Sequence, residues 1–271
     1  MNPLATLRLA LVYAALSLAA FLSVFPFFWM IVGATNTSAD IIRGKASFGT
    51  ELWTNIVNFF QQVDTLRIFG NSIFVAVVAT VLTLIVSSLA GYGFEVFRSR
   101  ARERIFAGLL LMLSIPFAAL MVPLFVMMAN AGLINTFTAI MLPTIASIFI
   151  IFYFRQTTKA FPGELRDAAR MDGLKEWQIF LYIFVPVMRS TYAAATIIVF
   201  MANWNAYLWP LIVLQTNEMK TITLVIASLA SAYYPDYGVV MVGTVLATLP
   251  SILVFFFLQR RFVEGMLGSV K

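Results

Sequence analysis

Cysteine and histidine are both absent from the 271 residues, and Asp, Glu, Lys and Arg together make up only 11%. Without cysteine there are no disulfides or thiolate metal sites, and without histidine the commonest general base and metal ligand is gone. Ordinary hydrolytic and zinc chemistry lack their usual groups, so neither a catalytic nor a metal-binding residue is expected. No G-x-x-x-x-G-K-[ST] signature occurs either, so the chain has no P-loop with which to hydrolyse a nucleotide. What is abundant is apolar. A hydrophobic content of 61% and a mean hydropathy of +0.92 leave too little polar surface to cover a soluble globule of this size. Lipid is the solvent this composition calls for. The net charge of +6 would suggest nucleic acid in a soluble protein. Here the basic residues occupy short segments between apolar runs, a membrane-topology pattern that gives no nucleic-acid partner.

A spanning helix needs about 20 mainly apolar residues, and five uncharged tracts reach that length, at 9–39, 68–94, 105–154, 190–217 and 237–259. The third is long enough for two spans. Asn130, Gly132 and Asn135 mark a tight turn inside it, which predicts a helical hairpin and six helices in all. Lys and Arg accumulate in short cytoplasmic loops. Fourteen of the 18 basic residues fall in one set, at Arg8, 98–104, 155–189 and 260–271. Both termini are therefore expected in the cytoplasm, with the whole of 1–271 as one transmembrane domain. The apolar stretch after Arg8 runs through Phe25, Pro26, Phe27, Phe28 and Trp29 to Val32, longer than the core of a secretory signal, so a retained first helix is expected. The exterior segment 36–69 mixes charges with Trp53, Phe59, Phe60 and Phe69, which either cap the helix ends or receive a partner.

None of the five tracts holds an Asp, Glu, Lys, Arg or His. Proton-coupled transport places such groups along its path, so energy for pumping would have to come from a partner. Polar uncharged residues do lie inside, concentrated at Asn203, Trp204, Asn205, Tyr207, Trp209 and Pro210. Asn amides can hydrogen-bond the hydroxyls of a neutral solute while aromatic faces stack on its ring. An interfacial aromatic belt with interhelical Asn contacts accounts for the same residues. Pro210 lacks a backbone donor and frees a carbonyl near Ala206. Gly91, Tyr92 and Gly93 read as close packing and a helix end.

The cytoplasmic segment 159–189 is unusually structured for a loop. Pro162 and Gly163 open a turn, Glu164 to Met171 continue as a short helix, and Asp172-Gly173 ends it, since glycine adopts the left-handed conformation that stops a helix. Residues 174–180 form a second amphipathic stretch before Pro186, giving helix, turn, helix. Leu165, Ala168, Ala169 and Met171 suggest an apolar surface with small residues at its centre, ringed by Glu164, Arg166, Asp167 and Arg170. Such a helix suits a groove in another protein or the surface of an anionic leaflet.

Glu164-Leu165-Arg166-Asp167-Ala168-Ala169, then Asp172-Gly173, Phe180, Ile183 and Pro186, resemble the EAA loop of ABC importer permeases. Asp167 stands where the family commonly has the Glu of EAA, and Val185 replaces the common Leu before Pro186. The resemblance covers most of the chain and is to the shorter permease of carbohydrate importers of the maltose type. Asn203-Trp204-Asn205 with 207–211 is similar to that group's fifth-span pattern, and 259–271 to its cytoplasmic tail. The resemblance implies an all-α integral membrane protein with the six-helix type I importer fold and a cytoplasmic coupling helix. It implies a bacterial or archaeal cytoplasmic membrane and four partners: a second permease, two ATPase subunits holding ATP and Mg, and an external solute-binding protein. This chain itself would carry no cofactor and would move a sugar by alternating access. Carried over residue by residue, ATPase coupling falls to Glu164, Leu165, Asp167, Ala168, Ala169, Asp172 and Gly173. Tail contacts with the ATPase fall to Gln259, Arg260, Glu264 and Lys271, and solute contact to Asn203, Trp204, Asn205 and Tyr207. The competing expectation is a stand-alone sugar or polyol facilitator.

Overall fold

The computed structural model describes the backbone of residues 3–267 and the side chains of 8–260; of the expected tail contacts, Glu264 and Lys271 lie outside the described side chains. Among the described residues every regular element is helical. The chain divides into two compact units, one running to Thr65 and resuming over Val225–Leu249, the other covering Leu66–Leu224 and resuming at Pro250.

The first unit begins with α1 (Pro3–Ala34). Leu9, Tyr13, Phe21 and Leu22 are each more than half exposed, and a helix that is apolar all round and presented outward is one that meets lipid. Its last carbonyls have no intrahelical partner. Asn55 of α3 (Leu52–Gln62), which follows the short α2 (Ser38–Ile42), supplies one: its Nδ2 donates to Ala34 O at 2.9 Å and Asn36 O at 3.0 Å. Phe59 of α3 is fully buried, whereas Trp53 is 74% exposed. The expected cap therefore exists, but only part of its aromatic surface is covered.

The second unit carries α4 (Thr65–Val96), whose buried stripe includes Ile68, Ser72, Val75, Ala79, Thr83, Ser87 and Gly91. These are mostly small or hydroxylated residues at helical spacing, the pattern that lets membrane helices approach closely. Next come α5 (Arg100–Met112), α6 (Phe117–Asn130), α7 (Phe137–Ile145) and α8 (Ile148–Thr158). The hairpin turn falls where it is expected, between α6 and α7, with Gly132 at φ 69° and Asn135 at φ 61°. Asn135 is held there by donation from the backbone of Gln215 and Thr216 to its Oδ1 at 3.0 and 3.2 Å.

Each arm of that hairpin is interrupted. The residue before a proline is pushed out of the helical region, and the chain turns through 103° between α5 and α6, just ahead of Pro116. A second break at 146–147 separates α7 from α8, which Ser147 caps. The cytoplasmic segment forms α9 (Gly163–Met171) and α10 (Glu176–Ile179), continues through a π-helical turn, Phe180–Phe184, into α11 (Val185–Val187), and bends by 80° into α12 (Arg189–Trp204).

Tract 190–217 corrects the expectation of one continuous fifth span. α12 stops at Trp204, and the chain restarts as α13 (Leu208–Val213). Pro210 falls in the first turn of α13, where a missing donor removes no helical bond, so the chain breaks and restarts instead of kinking. After α13 come α14 (Ile222–Ala230) and α15 (Tyr237–Leu267). Among the described residues four stretches are long and apolar enough to cross a membrane, in α1, α4, α7 with α8, and α15, and up to six spans result if each bent pair counts as one.

Candidate functional site

Two features of the second unit have the chemistry of a transport machine: an outward-facing helix at 163–171 and a cavity at the helix breaks.

Helix α9 ends in a Schellman turn. Leu174 N donates to Ala169 O and Gly173 N to Arg170 O, both at 3.0 Å, with Gly173 at φ 83°. Asp172 and Gly173 thus stop the helix and turn the chain towards α10, as the spacing predicts. Glu164, Asp167, Ala168 and Met171 lie at i, i+3, i+4 and i+7 and are all exposed, Met171 by 89%, with Leu165 on the flank at 42%. Ala169 is the exception among the expected coupling residues. It points the other way, is 3% exposed and seats the helix on the protein. Arg166 and Arg170 also turn inward, onto a carboxylate that the sequence did not single out. Glu176 Oε1 accepts from Arg170 Nε at 2.7 Å and Arg166 Nη2 at 3.2 Å, and its Oε2 accepts from Arg166 Nε at 3.3 Å. This one carboxylate offsets one of the two positive charges it receives, while Asp167 forms no ion pair among the described residues.

A cavity of about 600 Å³ opens beside both interrupted helices. Thr83 of α4, Thr144 of α7, Ser147 at the α7–α8 break, Asn203 of α12, and Asn205 and Tyr207 at the α12–α13 break supply its polar lining, with Phe117 and Trp209 beside them. Membrane backbone leaves the helical conformation where it is buried in protein or lines a watery space, and here two breaks share one hollow. Their donors are largely engaged: Asn203 Nδ2 donates to Val199 O and Asn205 Nδ2 to Met201 O, each at 2.9 Å, and Thr144 Oγ1 donates to Met141 O at 2.7 Å. The remaining amide carbonyls and hydroxyl lone pairs make the lining rich in acceptors, which suits hydroxyl donors. No Asp, Glu, Lys or Arg lines it.

Of the four expected solute residues, Asn203, Asn205 and Tyr207 reach this cavity. Trp204 does not. It is 3% exposed, stacks on Phe200 at 5.8 Å between ring centroids and lies 6.4 Å from Phe69. Trp209 borders the hollow, although at 4% exposed it too is largely core, fixed by Nε1 donation to Ala139 O at 2.9 Å. Trp204→Ala is accordingly expected to destabilise the folded chain by about 3–5 kcal/mol, the usual cost of truncating a buried aromatic. A thermal-shift assay in detergent checks this, and an unchanged transition would mean that Trp204 is not core. A second hollow of about 610 Å³, between α4 and the π-helical turn, is lined by Leu84, Ile85, Leu89, Trp177 and Phe180 with few polar groups, so it offers a hydroxylated solute little to bind. No cluster of His, Cys, Asp and Glu suited to a metal occurs among the described residues.

Residues 84–268 match the family described as the binding-protein-dependent transport system inner membrane component. The lactose transport system permease protein LacG of Rhizobium radiobacter is 70% identical over 259 residues, 96% of this chain and 95% of that one. The arabinooligosaccharides transport system permease protein AraQ of Halalkalibacterium halodurans is 36% identical over 93% of this chain and 92% of its own. The sn-glycerol-3-phosphate transport system permease protein UgpE of Agrobacterium fabrum is 31% identical over 91% and 92%. A chain in the crystal structure of a bacterial ABC transporter involved in the import of the acidic polysaccharide alginate superposes with a TM-score of 0.83, covering 97% of this chain and 99% of that chain. At 20% identity that likeness is one of fold.

Proposed function

This chain belongs to the family of binding-protein-dependent transport system inner membrane components, and from that premise we propose that it is the permease subunit through which an ABC importer carries a neutral sugar into the cell. Its fold is that of an ABC importer permease, and the stand-alone facilitator finds no support in these relatives. In this reading residues 1–271 act as one transmembrane domain in the cytoplasmic membrane, with both termini inside. A second permease, two ATPases and an external solute-binding protein complete the complex. The ATPases hold ATP and Mg, and this chain contributes no catalytic group and no cofactor. The exposed stripe of α9 docks in a groove of one ATPase, with Gln259 and Arg260 of the tail beside it. ATP-driven closure then displaces α9, and the helices around the cavity alternate between outward-open and inward-open arrangements.

One observation supports the neutral class of solute: the cavity at the two helix breaks is lined by polar uncharged and aromatic side chains and by no cation. An anionic solute in a low-dielectric cavity needs a countercharge, whereas a sugar needs hydroxyl partners and a flat apolar surface. Lactose, named for the relative of 70% identity, is the first solute to test, and sn-glycerol 3-phosphate, named for the more distant one, is the contrast.

The experiment is ATP-driven uptake in vesicles holding the complete complex and its binding protein. Labelled lactose should accumulate and sn-glycerol 3-phosphate should not. Asn203→Leu, which removes a polar partner from the cavity, is expected to slow uptake by roughly tenfold, the equivalent of one hydrogen bond to a buried group, with the complex still assembled. Unchanged uptake in Asn203→Leu would remove the cavity from the path, and ATP-independent uptake by the chain alone would remove the importer reading.

A further inference from the structure

Helix α9 has nine residues, and isolated helices shorter than about 12–15 residues are marginal in water. Which face it shows outward is therefore decided by what holds its inner face. Besides buried Ala169, that hold converges on Glu176, which receives both Arg166 and Arg170. The same carboxylate also reaches a membrane helix: Tyr92 of α4 donates its hydroxyl to Glu176 Oε2 at 3.4 Å. Arg166 adds a second link, its guanidinium 5.3 Å from the ring centre of Phe97, just past the end of α4.

Glu176 is also the first residue of α10, and so stands at the head of the run through the π-helical turn and α11 into α12. That run is firmly packed. Tyr92 lies edge-on to Phe180 and Phe184 at 5.2 and 4.8 Å, and Phe161 to Phe184 at 5.3 Å, in one buried aromatic cluster. Further along, α4 contributes Thr83, near its middle, and α12 contributes Asn203, near its end, to the cavity. A single side chain thus touches the docking helix, one cavity helix, and the segment leading into the other.

We propose that Glu176 is a positioning residue, fixing which face of α9 is presented to the ATPase and carrying the displacement of α9 to both α4 and α12. This rests on the importer reading above. Breaking the carboxylate's hold lets α9 rock without moving the membrane helices, so ATP is hydrolysed while little solute crosses.

The test uses the complete complex with its binding protein, in vesicles, and compares wild type with Glu176→Gln. Glutamine keeps the size of the side chain but loses the charge that holds two guanidinium groups, and charge-assisted bonds are about twice as strong as neutral ones. Binding-protein-stimulated hydrolysis should stay within about twofold of wild type while solute moved per ATP falls roughly tenfold. Amide hydrogen exchange over 163–171 should quicken by a similar factor in the purified variant, a readout independent of transport. The double variant Glu176→Gln with Arg166→Met should lose less than the two single losses combined, because the two share the Arg166–Glu176 contact. Should Glu176→Gln fail to assemble, Arg166→Met serves in its place, removing one of the two guanidinium groups from an intact carboxylate, and the same fall in solute per ATP supports the assignment.

Wild-type solute per ATP together with unchanged exchange would overturn the proposal, as would parallel loss of hydrolysis and uptake in a fully assembled Glu176→Gln complex. Unchanged coupling and exchange in Arg166→Met would count the same way. A wild-type complex with no ATP-driven uptake would instead bring down the importer reading, and faster exchange in Glu176→Gln would still record the local hold on α9.

Discussion

Ala168→Trp is expected to abolish coupled uptake, lowering it by about 100-fold or more, in a chain that folds as the wild type does. Ala168 sits mid-stripe on the exposed face of α9, flanked by Glu164, Asp167 and Met171. Among the described residues nothing packs over that face, so the added indole meets solvent there, and surface substitutions of this kind shift stability by about ±0.5 kcal/mol. In a complex the position changes character. A small residue at the centre of a docking stripe lets the partner's groove close on the backbone, and a Trp there holds the two surfaces apart. Overpacking of a tight contact costs about 1–3 kcal/mol, and each 1.4 kcal/mol is about a factor of ten in binding. The complex should therefore lose its ATPase during purification. The neighbouring Ala169→Trp makes the discriminating comparison: Ala169 is 3% exposed, so the same substitution one residue along should lower the melting temperature of the chain itself. Melting behaviour and ATPase co-purification of the two variants separate an outward docking face from an inward seat. Normal co-purification and uptake in Ala168→Trp would show that the ATPase does not use this stripe.

Which parts of this arrangement were legible in the sequence follows from how local their causes are. The hairpin turn at 131–136 and the end of α9 were legible because each depends on a residue type with a left-handed preference, and Gly132, Asn135 and Gly173 all take positive φ. The interruption at 146–147 was not, since hydropathy adds up along a tract regardless of where the helix stops, and that at 205–207 was legible only as a disturbance near Ala206 ahead of Pro210. The same blindness hides which of the two buried tryptophans, Trp204 and Trp209, borders the cavity. Once α12 ends at Trp204 and the chain restarts at Leu208, the helical phase resets, and the later tryptophan faces the cavity. Glu176 escaped notice for a different reason. Its partners lie six and ten residues back across a glycine turn, outside the i,i+4 spacing by which ion pairs are found on a single helix. The signal was present as two arginines on one side of Asp172-Gly173 and one carboxylate on the other. In the coupling set, charge and size in 164–169 left two faces possible, and burial alone separates Ala168 from Ala169.

Gly91 and Gly93 read alike in the sequence, and substitution by alanine is expected to drive them in opposite directions. A Cβ at Gly93 has nothing within 4 Å, so Gly93→Ala gains helix propensity of up to about 1 kcal/mol and should leave α4 as stable or more so. At Gly91 the same Cβ would stand 2.6 Å from Phe154 Cβ and 2.8 Å from Arg155 N. Backbone and Cβ atoms of α8 cannot swing aside as a long side chain would, so α4 and α8 must separate. The residue displaced with α8 is costly to move. Arg155 is buried, donates from Nη2 to Glu103 Oε1 at 2.5 Å and from Nε to Glu95 Oε2 at 3.4 Å, and lies 4.0 Å over the ring of Phe106. Loosening the pair between Arg155 and Glu95, whose side chains are 8% and 9% exposed, leaves its charges without compensation, at about 3–5 kcal/mol when a partner is lost outright, and forcing an extra carbon into a tight contact adds about 1–3 kcal/mol. Gly91→Ala should therefore destabilise the chain by several kcal/mol, and Gly91→Leu should leave little folded protein to recover from the membrane. Melting curves of the two alanine variants in one detergent make the comparison. If Gly91→Ala melts with the wild type, α4 and α8 do not meet at this glycine, and the ion-pair cluster above them is held by something other than their close approach.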